Sequence, residues 1–184
     1  MHALVMSLAV AATVAVAPSC TANAPPGSAT PSSVARGPGE PTAHGGCGNT
    51  EVHTGPIPAW ANCGFSDPST GLPWAAGTPS TAIAILFATE LVAGGQRPDG
   101  SSNKILWVTE TSTYQLRIVA RPTDGAGSPV AISQPTTNGN QVPSIVDLPT
   151  AGCWTFHLTW GATQSSSSTL QLWVLPQHTL PPAT

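Results

Sequence analysis

Hydrophobic and polar residues alternate most regularly in residues 153–160. Every second residue there is large and apolar, and the residues between them are mostly threonine and histidine. Successive side chains of an extended chain point to opposite faces, so this pattern gives one apolar face and one polar face. The apolar face consists of Trp154, Phe156, Leu158 and Trp160. A period of two predicts a β-strand with one buried side.

Six further segments have the length and composition of strands and are separated by glycine, proline, asparagine and serine. They span residues 81–92, 104–110, 114–121, 129–133, 144–148 and 169–175. Segment 81–92 is rich in alanine, but Ile83, Ile85 and Phe87 alternate in it, which favours a strand over a helix. In segment 114–121 one face would carry Tyr114, Leu116, Ile118 and Ala120. With no convincing amphipathic helix, about seven short strands predict an all-β fold, an antiparallel β-sandwich.

Residues 47–77 precede these strands and are rich in glycine and proline, which predicts a loop-like segment. Trp60 and Trp74 interrupt it, and their ordinary role would be to anchor the loop on the sheet. Three other tryptophans fall within predicted strands and are expected in the core: Trp107, Trp154 and Trp160. Trp173 is expected to cover an edge.

The chain opens on an apolar run at 3–17, and a stretch rich in proline, serine, glycine and threonine follows at 21–46. The run has the length of a signal-peptide core and is short for a membrane-spanning helix. Between the two, Ala17-Pro18-Ser19-Cys20 resembles a bacterial lipobox. We therefore predict a signal peptide (1–19), a lipidated Cys20 with a disordered linker (20–46), a β-sandwich domain (47–176) and a disordered tail (177–184). A secreted protein and an uncleaved anchor are the alternatives.

Charge is scarce along the whole chain. Only 7% of the residues are charged, against about a quarter in a typical soluble domain. The net charge is −3 and Lys104 is the only lysine, so the sequence has no run of basic residues that would bind a nucleic acid. The carboxylates are scattered, and neither a Gly-x-Ser-x-Gly elbow nor a phosphate-binding loop occurs. We expect neither a catalytic site nor a cofactor.

Four cysteines are present, and an exported domain favours disulfides over free thiols. If Cys20 carries lipid, three cysteines remain and one of them is unpaired. Sequence spacing does not choose among the three resulting bridges, because geometry decides the pairing. The bridges are Cys47–Cys63, Cys47–Cys153 and Cys63–Cys153.

A metal site is the alternative use of these residues. His44, Cys47, His53 and Cys63 have donor atoms that suit zinc or copper, but their spacing matches no compact ligand motif. His157 belongs to the polar face of its predicted strand, which indicates a surface residue.

Four segments carry a resemblance to other proteins: 55–61 (Gly-Pro-Ile-Pro-Ala-Trp-Ala), 103–108 (Asn-Lys-Ile-Leu-Trp-Val), 143–149 (Pro-Ser-Ile-Val-Asp-Leu-Pro) and 152–154 (Gly-Cys-Trp). In combination they resemble a group of uncharacterised bacterial exported proteins and lipoproteins that is common in actinobacteria. The likeness covers about residues 47–175. With the strand count, it implies an immunoglobulin-like sandwich. It also implies a Cys47–Cys153 disulfide, with Cys63 as a local addition, and it brings no assigned activity.

These expectations describe a non-enzymatic cell-envelope lipoprotein, held on the membrane by its lipid, that acts as a binding or accessory module for a protein or glycan. The first alternative is a carbohydrate-binding module. It would use Trp60, Trp74 and Trp173 as stacking surfaces, provided that at least two of them are exposed and coplanar. The second alternative is the metal-binding protein described above.

Overall fold

The computed structural model describes residues 45–62, 71–88, 90–97, 100–136 and 139–177. Apart from a short 3-10 turn at Ala59–Ala61, the regular structure of these residues is β. The strands are β1 (Val52–Thr54), β2 (Pro73–Ala76), β3 (Ala82–Leu86), β4 (Leu91–Val92), β5 (Lys104–Thr109), β6 (Gln115–Pro122), β7 (Val130–Pro135), β8 (Gln141–Ile145), β9 (Gly152–Trp160) and β10 (Ser166–Leu175). The all-β class predicted from the alternating pattern is confirmed.

The strands form two sheets that pack face to face. The first sheet has the order β1-β2-β3-β5-β8, and the second has the order β4-β10-β9-β6-β7. Neighbouring strands are antiparallel except for β4, which runs parallel to the end of β10. The fold is therefore a β-sandwich, with the strand alternation of each sheet deciding which side chains face inward.

The space between the sheets holds the main core. Trp107, Trp154 and Trp160 are all buried there, as the alternation predicts. The Trp107 ring lies 5.6 Å from the Phe156 ring between centroids, and the Trp107 Nε1–H donates to Ser144 Oγ at 2.7 Å. Because the indole N–H has a partner, this large side chain is buried without leaving a donor unsatisfied.

A second apolar layer covers the outer face of the first sheet. Ile83 and Ile85 of β3 point to this face, together with Leu106 and Val108 of β5. They are covered by side chains from the segment before β3, namely Ile57, Trp60, Leu72 and Trp74. Every residue of β3 is consequently buried. The expected anchoring of the loop by Trp60 and Trp74 is what the structure has.

Three predicted elements differ from those observed. The segment predicted as loop-like contains the short strands β1 and β2. The single strand predicted at 81–92 is two strands, β3 and β4, which belong to different sheets. The strand predicted at 144–148 lies at 141–145, with Pro143 in its middle. Because β8 is an edge strand, a residue without an N–H is tolerated there.

Tyr114 does not share the buried face of β6. It precedes the strand and is 95% exposed, whereas Leu116, Ile118 and Ala120 are buried as predicted. The predicted alternation of buried and exposed side chains in β6 therefore holds from Leu116 onward, and Tyr114 is the exception.

A disulfide joins Cys47 to Cys153, with the Cα atoms 5.9 Å apart. Since Trp154 points into the core, Cys153 lies on the outer face of β9. The bridge holds the chain before β1 against β10, where Gly46 pairs with Leu172. This is the pairing implied by the resemblance.

Candidate functional site

A cleft of about 490 Å³ opens beside the disulfide, at one end of the outer face of the second sheet. Its walls come from the turn between β6 and β7, the loop between β8 and β9, the start of β9, and β10. The lining residues are Pro122, Thr123, Asp124, Ala126, Thr150, Ala151, Gly152, Cys153 and Trp173. We call this the Trp173 cleft.

Trp173 supplies the one aromatic surface of the cleft. It lies directly across the β9–β10 ladder from Cys153, on the outer face, because Leu172 and Val174 on either side of it point into the core. The indole is half-buried. A side chain held in this way by its strand presents a fixed, largely apolar surface to anything that enters the cleft.

The turn between β6 and β7 forms the wall that carries the carboxylate. Asp124 Oδ1 accepts a hydrogen bond from the Ala126 N–H at 2.9 Å, which uses one of the two carboxylate oxygens. The Thr123 N–H donates to the Cys153 carbonyl at 2.8 Å and ties the turn to β9. The exposed Asp124 is therefore positioned by backbone contacts.

The loop between β8 and β9 forms another wall and is equally fixed. The Trp154 Nε1–H donates to the Thr150 carbonyl at 2.9 Å, so a core side chain holds the loop from below. At Gly152 the backbone has φ +124°, and an added Cβ would meet no atom within 4 Å. Glycine suits this conformation, and it leaves the floor of the cleft open.

A network of hydrogen bonds links the cleft to the disulfide-bonded segment. Thr123 Oγ1 and Thr155 Oγ1 are 2.9 Å apart, and Gln171 Nε2 donates to the same Thr155 oxygen at 3.2 Å. Gln171 Oε1 in turn accepts from the Asn49 N–H at 3.2 Å. The Gln171 N–H donates to Thr50 Oγ1 at 2.7 Å. The cleft thus has a wall that is held by side-chain and backbone bonds together.

The three tryptophans proposed for sugar contact are not brought together. Trp60 and Trp74 pack on the outer face of the first sheet, whereas Trp173 lies on the outer face of the second. All three are half-buried. The His53 ring lies over Trp74, with centroids 4.6 Å apart. A single platform built from all three residues is therefore impossible, and of the three it is Trp173 that lines the cleft described above.

The metal set proposed from the sequence is also not assembled. Cys47 has its sulfur in the disulfide and has no thiolate to offer. His44 and Cys63 lie outside the described residues, and so does the predicted lipid-attachment residue Cys20. Among the residues that the structure does describe, no group of three His, Cys, Asp or Glu side chains could hold a metal ion.

His157 is exposed on the outer face of β9, as the polar side of the strand predicts. Its Nδ1 lies 3.1 Å from Thr169 Oγ1 on the neighbouring strand. Arg117 and Arg121 of β6 point to the same face, in register with Thr159 and Thr155. This face of the second sheet is therefore polar and carries two basic side chains, of which Arg121 immediately precedes Pro122 of the cleft wall.

A second, smaller cleft of about 320 Å³ lies at the opposite end of the sandwich, where β9 ends at Trp160. Hydroxyl side chains surround it, together with Glu110. The Trp160 Nε1–H already donates to Thr111 Oγ1 at 3.0 Å, and the ring itself is buried. This cleft thus lacks the accessible aromatic surface of the Trp173 cleft.

Sequence reasoning singled out Trp173 and the disulfide residue Cys153 but missed the other residues of the cleft. Asp124 and Thr150 lie in turns, where polar residues are ordinary, so the sequence gives no signal that sets them apart. What brings them together is the pairing of β6 and β10 with β9, which spans long separations along the chain.

Comparison with known proteins gave no match to a family model, a curated protein or a solved structure. None of the described segments forms a helix long and apolar enough to cross a bilayer.

Proposed function

We propose that this protein is a non-enzymatic lipoprotein of the bacterial cell envelope, in which a linker tethers a β-sandwich binding module to the membrane. The disulfide between Cys47 and Cys153 carries the proposal, because such bonds persist in oxidising compartments outside the cytoplasm. The apolar run at 3–17 and the lipobox-like residues before Cys20 support export and lipid attachment.

The composition of the Trp173 cleft supports a binding role over catalysis. Outside the disulfide, Asp124 is the one titratable group among the described residues that line it. Nucleophilic catalysis by a serine, threonine or cysteine commonly pairs the nucleophile with an adjacent base, and Asp124 has no such titratable partner among these lining residues. A concave site with an aromatic wall and a few fixed polar groups is typical of ligand binding.

The strand order supports an immunoglobulin-like arrangement for the module. Strands β3, β5 and β8 are neighbours in one sheet, as strands A, B and E are in that fold, and β10, β9 and β6 correspond to G, F and C. The disulfide departs from the antibody pattern. It joins β9 to the chain before β1 and not to the facing sheet. Fold alone carries no function, so the proposal depends on the cleft and the location.

The test is the intact mass of the protein recovered from the membranes of a bacterium that expresses the full chain. We expect cleavage before Cys20, the added mass of a diacylglycerol and fatty acid at that residue, and a deficit of two hydrogens for one disulfide. The control Cys20→Ala should lose the lipid mass and the membrane association. An unlipidated protein in the culture medium would contradict the anchor, and a reduced protein in the cytosol would contradict export altogether.

A further inference from the structure

We infer that the Trp173 cleft binds a neutral saccharide, with one sugar ring stacked on the Trp173 indole and its hydroxyl groups bonded to Asp124 and the neighbouring threonines. This names the ligand class for the binding role proposed above and rests on that role.

The shape of the cleft suits a short stretch of a glycan chain. Its volume of about 490 Å³ lies within the range of small-molecule sites, roughly 300–1,000 Å³. The cleft lies on the outer face of the sandwich between two loops and opens to solvent. A sugar unit can therefore enter while the rest of the chain continues along the surface.

The lining also matches the two kinds of surface that a sugar ring presents. A pyranose has an apolar face of C–H groups, and Trp173 offers a flat apolar surface against which that face can stack. At its rim a sugar carries hydroxyl groups. Asp124 uses only one carboxylate oxygen in its own turn, so the other is available to accept hydrogen bonds from the ligand. Thr150 adds an exposed hydroxyl on the facing loop.

Fixed walls lower the entropy that binding must overcome. The Thr123 backbone is bonded to Cys153, Thr150 is held by Trp154, and Cys153 is itself fixed by its disulfide to Cys47. The side-chain network through Thr155 and Gln171 extends this support to the adjacent strand. A weakly binding ligand class such as a neutral sugar benefits most from a site that is already formed.

The charges around the cleft favour a neutral ligand over a cation. Asp124 is a single carboxylate, and Arg121 lies on the same outer face immediately before Pro122 of the cleft wall. A cationic peptide or amine would meet this guanidinium as it approached Asp124. An uncharged hydroxylated ligand avoids that repulsion and still uses the carboxylate as an acceptor.

The test is isothermal titration of the exported, oxidised full chain with five named neutral probes: cellotetraose, xylotetraose, mannotetraose, fully N-acetylated chitotetraose and arabinotetraose. We expect at least one of them to bind and to change the tryptophan fluorescence. Trp173→Ala should weaken that binding by about tenfold or more, since the stacking surface is lost. Asp124→Asn should weaken it several-fold, because the amide keeps the acceptor for Ala126 but removes the charge. The matched aromatic control is Tyr114→Ala, at a residue that is 95% exposed and outside the cleft, and it should leave binding unchanged.

If Trp173→Ala fails to fold, Ala126→Leu gives the same information, because it narrows the cleft from an exposed turn position and leaves the strands intact. Binding that survives this substitution at full strength would place the sugar elsewhere and overturn the inference. So would the failure of all five probes to bind. Either result leaves the mass measurement on the membrane protein untouched, so a wrong ligand class and a wrong cellular location are distinguished.

Discussion

At the scale of single residues, the most constrained position near the cleft is Gly48. Its φ is +58°, a conformation that side chains disfavour, and an added Cβ would lie 2.1 Å from Gln171 Oε1. That oxygen could move only by giving up its hydrogen bond with Asn49, and the same side chain also bonds Thr155. Glycine therefore serves two purposes here: it adopts this backbone conformation without strain, and it leaves room for the Gln171 side chain.

Gly48→Ala tests both purposes against a matched glycine. Gly125 has a similar φ of +76°, but an added Cβ would meet nothing within 4 Å, so Gly125→Ala isolates the conformational term. We expect Gly125→Ala to lower the free energy of unfolding by about 1 kcal/mol and Gly48→Ala by about 2, the difference being the displaced hydrogen bonds. Urea unfolding measures both. Equal losses would show that Gln171 moves aside freely, and the double variant Gly48→Ala/Gln171→Ala would then show no recovery.

At the scale of elements, the sequence predicts what local alternation determines and misses what pairing determines. Strands β6, β9 and β10 have one apolar side each, and their positions follow from that period. β1 and β2 are short, and glycine and proline surround them, so their strand character comes from pairing with each other and with β3. The cleft was not predictable for the same reason. Asp124 and Thr150 lie in turns, and strand pairing alone brings those turns close to Trp173.

The division of segment 81–92 into β3 and β4 depends on Asn103, a buried side chain that alternation cannot reveal. Its Oδ1 accepts from the Val92 N–H at 3.0 Å, and its Nδ2 donates to the carbonyls of Val92 at 2.7 Å and of Val146 at 3.1 Å. One amide thereby satisfies backbone groups of β4, the strand with which the chain enters the second sheet after β3. A buried polar residue that is completely bonded in this way holds two sheets in one arrangement.

Asn103→Ala should therefore lower the free energy of unfolding by about 2–4 kcal/mol, because buried backbone groups of Val92 and Val146 lose their partners. The control is Asn140→Ala. That side chain is also buried, but it donates one hydrogen bond, to the Thr109 carbonyl at 3.2 Å, so about 1 kcal/mol is expected. Urea titration followed by tryptophan fluorescence compares the two. Similar losses for both variants would contradict the role assigned to Asn103.

For the molecule as a whole, the disulfide between Cys47 and Cys153 closes a long loop of the chain. Cys47 and Cys153 are 106 residues apart, so strands β1 to β8 lie between them and β10 follows. The bridge restricts the unfolded chain, and it also places residues 46–50 on β10 next to the cleft. Stability and the shape of the site are thus coupled through one bond.

Replacing both cysteines, as Cys47→Ala/Cys153→Ala, should lower the free energy of unfolding by about 4–5 kcal/mol, the value that loop-closure entropy gives for a loop of this length. Because the core between the sheets does not involve the bridge, we expect the variant to stay folded at low temperature with its strands intact. Hydrogen exchange should rise first at residues 46–50, where the Cys47 N–H bonds the Gln171 carbonyl at 3.4 Å. Reducing the native protein under mild conditions should reproduce both effects. A loss of unfolding free energy below about 1 kcal/mol would mean that the other contacts of residues 46–50 hold this segment without the disulfide. Hydrogen exchange that rises evenly over all strands would mean that the bridge supports the whole sandwich and not one edge of the cleft.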